Sequence, residues 1–176
     1  MKRILALAAL MTIASCAHVG WDTTKLGSKF KARQYNSLTH KYEARPTFLE
    51  LTTFKNGSDY LAVFMDEYGS TAAELRFVDE QANEYIALID KYLEWEKLAT
   101  VNEDIVDKKI GSAKGFANTI NFSFYSGSQY SHFLVLDTLG VNDQFYSRAD
   151  AIALREVLAE YRDGKIKQND IDARYQ

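Results

Sequence analysis

The chain has 176 residues, 47% of them hydrophobic and 26% charged, with a formal net charge of −3. That composition fits one globular domain with a proper core, and its acidic balance speaks against a nucleic-acid partner, whose phosphates demand a basic surface. A single cysteine excludes an internal disulfide and any zinc site built on several thiolates.

Met1-Lys2-Arg3 opens the chain with two cations, and an apolar run over 4–13 follows. This is the order of a secretory signal, and the run is too short for a spanning helix, which needs about 20 apolar residues. Ile13-Ala14-Ser15-Cys16 has an aliphatic residue, two small residues and then the only cysteine. It resembles the lipobox of bacterial lipoproteins. The resemblance covers residues 1–16 alone. It implies cleavage before Cys16, attachment of lipid to that residue, and a membrane partner reached through the acyl chains. Ala17 stands where aspartate is the usual inner-membrane retention signal, so the implied location is the cell envelope, periplasm-facing on the outer membrane. Loss of Lys2 and Arg3 takes the net charge from −3 to −5.

Residues 16–46 are expected to be a lipid anchor and basic tether. Between 17 and 46 six cations (Lys25, Lys29, Lys31, Arg33, Lys41, Arg45) face only Asp22 and Glu43, a net +4 that leaves −9 for the rest. No period of 2 or 3.6 is sustained here, although 34–42 has the look of an edge strand. The folded domain is expected over 47–164, with a polar tail over 165–176. It opens with TFLELTTF, the turn Lys55-Asn56-Gly57-Ser58 and DYLAVFMDEY, a hairpin whose Asn-Gly tolerates the positive φ of a tight turn. Residues 73–77 alternate apolar and charged and read as a third strand.

Asp79 stands at a helix N-cap position, and Ala82, Ile86, Ile89 and Leu93, with Tyr85 beside them, recur at helical spacing. They predict a helix over 80–98. Strands follow over 105–110, 116–125 and 130–136, with a Ser-Gly turn at 126–129 and an acidic loop over 137–143. Ser147, with Asp150 three residues on, caps a second helix whose stripe is Ala151, Leu154, Val157, Leu158 and Tyr161, ending near Gly164. The order predicts an α+β domain of antiparallel sheet with two helices, a pseudo-repeat of two βββα units. Similar orders occur in several unrelated folds, the Pur/Whirly type of nucleic-acid binder among them, but none of their sequence motifs is present.

Catalytic motifs are missing. The three histidines, His18, His40 and His132, have no ligand spacing, Ser126-Gly127-Ser128 lies in a turn rather than a nucleophile elbow, and Gly111 to Gly115 lacks the spacing of a phosphate loop. The loop 137–143 has oxygens for one Ca²⁺ but not the order of an EF-hand, and a solvated acidic loop is the expectation. No metal or cofactor is expected. Aromatic side chains are abundant, and Tyr92, Trp95, Tyr125, Tyr130 and His132 are the candidate binding face. The sequence thus points to a lipid-anchored envelope protein acting as a non-catalytic binding or accessory module, with a possible envelope protein partner. Two alternatives stay open: an envelope hydrolase built on scattered carboxylates or His132, and a structural subunit of an envelope complex.

Overall fold

The computed structural model describes residues 20–67, 73–127 and 131–166; the expected signal segment, Cys16, His18, Tyr130 and all but the first two residues of the expected polar tail lie outside them. In chain order the strands are β1 (Trp21–Gly27), β2 (Arg33–Asn36), β3 (Lys41–Ala44), β4 (Thr47–Phe54), β5 (Asp59–Met65) and β6 (Ala73–Phe77). Helix α1 (Ala82–Asn102) follows, then β7 (Val106–Lys114), β8 (Thr119–Ser126), β9 (His132–Thr138), β10 (Val141–Tyr146) and α2 (Arg148–Arg162). They form two antiparallel sheets, β1-β4-β5-β6 and β3-β2-β10-β9-β8-β7. The architecture is α+β, as expected, but six strands precede α1 and four precede α2, because β10 adds a strand to the three expected before the second helix.

Local chemistry accounts for several joints. Gly57, at φ 85°, closes the β4–β5 hairpin, where the Phe54 N–H donates to the Ser58 carbonyl at 2.8 Å. Asn56 adds its side-chain oxygen, accepting from the Ser58 N–H at 3.1 Å. Ser147 caps α2 by accepting from the Asp150 N–H, and Gly164, at φ 64°, follows the helix end. Helix α1 starts differently from its expectation. Asp79 opens a single 3₁₀ turn over Asp79–Gln81, and the α-helix begins one turn later with no side-chain cap. It runs on to Asn102 because Glu103 takes the left-handed conformation of a C-cap (φ 55°) only there.

The expected tether is corrected most. β1 pairs with β4 over its whole length, from Trp21 opposite Phe54 to Gly27 opposite Phe48, while β2 and β3 extend the other sheet from the edge of β10. Between them Phe30 and Ala32 enter the core, 2% and 0% exposed. Three of the basic residues are engaged within the fold: Lys29 with Glu160 at 3.3 Å, Arg33 with Asp150 at 3.6 Å, and Arg45 donating to the Asp66 carbonyl at 2.7 Å. The acidic loop over 137–143 is likewise a tight turn between β9 and β10, with Gly140 at φ 80° and an irregular register between Val141 and Gln144.

One apolar core joins the inner faces of both sheets to both helices. The expected stripe of α1 is there in Ala82, Tyr85, Ile86 and Ile89, all buried, with Leu93 partly so. Gly111 in β7 leaves room for Leu88, since a Cβ there would meet that side chain at 2.6 Å, and the Tyr85 hydroxyl donates to the Lys114 carbonyl. These contacts seat α1 on the six-stranded sheet. α2 lies beside α1, joined by the paired hydrogen bonds of Arg155 to Asp90 at 2.5 and 3.0 Å, and reaches the other sheet where the Tyr161 hydroxyl donates to Asp59. At the outer edge of β6, the Gln144 amide donates to the Ala73 carbonyl at 3.2 Å and the Phe116 N–H to the Arg76 carbonyl at 3.0 Å. Gly115 permits that approach, because a Cβ would stand 2.7 Å from the same Arg76 oxygen.

Candidate site on the outer face of the six-stranded sheet

Side chains alternate across a strand, so β8 and β9 each divide into two sets. Ile120, Phe122 and Phe124 with Leu134 and Leu136 face the helices and are buried in the core. Asn121, Ser123 and Tyr125 with Phe133, Val135 and Asp137 face the other way, cross-paired as Ser123 with Val135 and Tyr125 with Phe133. Phe133 and Val135 are nonetheless only 9% and 7% exposed. Aromatic rings cover them. Tyr42 of β3 lies 4.6 Å from Phe133, 4.7 Å from Phe145 of β10 and 5.8 Å from Tyr125, measured between ring centroids. Tyr35 of β2 extends the cluster at 5.2 Å from Tyr42, and its hydroxyl shares a 3.1 Å hydrogen bond with His40 Nδ1.

Tyr42, Tyr125 and Phe145 of this cluster, with Ser123 and Val135, line a cavity of about 240 Å³ that also carries three carboxylates, Asp107, Asp137 and Asp143. Its lining contains no lysine or arginine. Partial burial raises the Asp143 carboxyl above its ordinary range, and the charges of Asp137 and Asp107 add to the shift. Burial is also the main reason that the Tyr42 phenol is pushed far up, with Tyr125 contributing, so Tyr42 stays neutral at any physiological pH. Asp137 is oriented from across the sheet: Lys109 donates to Asn121 at 3.0 Å, and Asn121 donates to Asp137 at 2.8 Å. The result is an apolar, π-rich floor under negative charge, the chemistry of a site for a cation.

The candidate binding residues do not form one face. Tyr92 is fully buried in the core, and burial holds its phenol well above the ordinary range. Its hydroxyl donates to the His132 carbonyl at 3.5 Å. Trp95 is partly buried, 6.4 Å from Phe124, with Lys91 and Lys108 at 5.0 and 5.1 Å from its ring centroid. His132 stacks on the same Phe124 at 6.2 Å, and its ring nitrogens are buried without a hydrogen-bond partner. These three belong to the inner side of the sheet. Tyr125 alone lies on the outer face, and Tyr130 falls outside the described residues.

Sequence reasoning missed Tyr35, Tyr42, Phe133, Phe145 and the three aspartates as a group. One signal was present: Phe133-Leu134-Val135-Leu136 is a continuous apolar run, which marks a strand covered on both faces. Among the described residues no group of three His, Cys, Asp or Glu side chains is placed to hold a metal ion, and none of their helices is long and apolar enough to cross a membrane. Compared with known proteins, the chain matches no family model, no curated protein and no solved structure.

Proposed function

We propose that this is a lipid-anchored protein of the cell envelope, facing the periplasm from the outer membrane, whose domain is a non-catalytic binding module for a cationic group. The signal-like residues 1–15 and the lipobox at Cys16 support the location. The observation that carries the binding role is the outer-face cavity, lined by Tyr42, Tyr125, Phe145 and Val135 together with three aspartates. A lysine or arginine side chain of an envelope protein partner meets both requirements, its charge against the carboxylates and its stem and cation against the rings. A cation over an aromatic face is worth about 0.5–2 kcal/mol. The raised Asp143 adds a pH dependence, since only its ionised form attracts the ligand, so affinity rises as that carboxyl loses its proton.

The test is titration of the protein with short lysine- or arginine-bearing peptides and with the same peptides carrying a neutral norleucine instead. The cationic peptides are expected to bind and to lose roughly ten-fold in affinity in an Asp137→Asn, Asp143→Asn variant, equivalent to about 1.4 kcal/mol. Equal binding of the neutral peptides, or no effect of the substitutions, would remove the proposal.

A second reading has one observation in its favour. A carboxyl raised beside another carboxylate is the arrangement of a general acid with its partner, so Asp143 and Asp137 would fit an envelope hydrolase. Turnover of a peptidoglycan or ester substrate, lost in Asp143→Asn with the fold intact, would decide for it.

A further inference from the structure

We infer that the outer face of the four-stranded sheet, at the end holding Trp21, Phe54, Tyr60 and Phe116, is a membrane-docking surface that rests at the level of the lipid head groups. This inference rests on the proposed anchoring at Cys16.

The chain enters the described fold at Gly20, which lies against the side chain of Lys55 in the β4–β5 turn. Cys16 stands four residues earlier, and four residues span at most about 14 Å even when fully extended. An acyl anchor on Cys16 therefore holds this end of the sheet within about 14 Å of the acyl chains, the depth of roughly two head-group layers.

The residues gathered there suit that position. Trp21 is 63% exposed and sits directly opposite Phe54 in the β1–β4 register, close enough for the two side chains to share one surface. Phe54 stacks on Phe116 at 5.5 Å and 12°, and Tyr60 lies 4.5 Å from Phe116. Phe116, in the turn between β7 and β8, is itself 40% exposed. Lys55 marks the turn where the chain enters and supplies a free cation among the described residues, while Arg76, already paired with Glu74 at 2.6 and 2.8 Å, lies 5.4 Å over the Tyr60 ring. Tryptophan and tyrosine with neighbouring arginine and lysine are the side chains that settle at a membrane interface, the rings among the upper acyl segments and the cations at the phosphates. The cation-seeking cavity on the other sheet has the opposite chemistry, with no lysine or arginine in its lining.

Trp21 and Trp95 are the only tryptophans, so each can report alone. The protein is purified from a lipoprotein-processing host, the state of Cys16 is read by mass spectrometry, and the protein is placed on phosphatidylethanolamine and phosphatidylglycerol vesicles brominated near the glycerol. With Trp95→Phe, Trp21 emission is expected to fall roughly two-fold, as suits a ring at interfacial depth; with Trp21→Phe, Trp95 emission is expected to hold. Should Trp95→Phe fail to fold, the difference between the unchanged chain and Trp21→Phe gives the same reading, because Trp21 lies at the surface. A free Cys16 thiol would refute the anchor by itself; that thiol is then coupled to a maleimide-bearing lipid and the quenching is read as before. Unquenched Trp21 on protein held at the vesicles would overturn the docking surface. So would shielding of Trp21 from iodide that depends on protein concentration and needs no lipid, which would assign the face to a second copy of the chain.

Discussion

The two sheets turn faces of similar aromatic content and unlike finish away from the helices. On the six-stranded sheet the rings close over one another, so that Phe133 and Val135 are nearly dry with only side chains above them. On the four-stranded sheet Thr52 and Ala62 are just as dry between their neighbours, but the rings lie in pairs, Phe48 stacked on Phe64 at 4.9 Å and Phe54 on Phe116, and Trp21 at the end of the face is left open. The polar partners differ as well. Carboxylates line the first cavity, whereas the second face carries Arg76 braced by Glu74 at 2.6 and 2.8 Å, and Lys25 opposite Glu50 in the strand register. A ring cluster that excludes water contributes to stability like a core. A face that leaves Trp21 and Phe116 exposed at one end keeps that end for something else.

The largest expected effect separates these two conditions. Phe133→Ala removes a buried ring and should cost about 3 kcal/mol or more, while Phe48→Ala, on the half-buried pair, should cost clearly less. Urea denaturation of both variants measures the gap. Equal losses would show that the two faces are equally dry and would end the distinction.

A smaller effect comes from Asp143. Its proton is held more tightly in the folded state than in the unfolded one, so the ionised group works against folding. Stability is thus full at a pH below the ordinary carboxylate value of 3.8 and is partly lost as pH rises from there through the raised folded value. Asp143→Asn should therefore stabilise the protein at neutral pH and leave it unchanged near pH 3, read as melting temperature against pH. A variant less stable at pH 7 would mean that the carboxylate is held by a favourable contact instead.

The smallest effect belongs to Trp21. Trp21→Ala should change stability by no more than about 0.5 kcal/mol, as for other exposed positions, despite removing the largest kind of side chain. A substantial loss would make Trp21 part of the packing and would weaken the contrast from the other side.

What the sequence made legible follows the range of the interactions. The β4–β5 hairpin was readable because Asn56-Gly57 and the alternating residues on either side are local, and α2 because Ser147 and its stripe lie within fifteen residues of each other. β1 was not. WDTTKLG has little β-forming apolar content, and it becomes a strand only because β4, some two dozen residues later, offers an edge to its full length. Asp79 had the side chain for a cap, but the 3₁₀ turn delays the α-helix past its reach. The outer-face cluster draws rings from β2, β3, β8, β9 and β10, so no spacing along the chain encodes it. Tyr92, Trp95 and His132 were grouped with Tyr125 by residue type, yet Phe124 directs their cluster inward while Tyr125, one position on, points out. A step of one residue in a strand exchanges core for surface.

The hydrogen bonds that Gln144 and Phe116 make to β6 bear on how densely such a molecule can be packed. A bare strand edge invites a neighbouring chain to add its own strand, and the hazard grows with local concentration. Here the Ala73 and Arg76 carbonyls already have donors from within the chain, and the far edge of the other sheet, β7, carries Lys108, Lys109 and Lys114 and an irregular register between Lys109 and Gly111. These two of the four sheet borders, β6 and β7 as against β1 and β3, are thus poor templates for strand addition. If tethering confines the protein to two dimensions, its copies can crowd together on a membrane without zipping into extended sheet through β6 or β7.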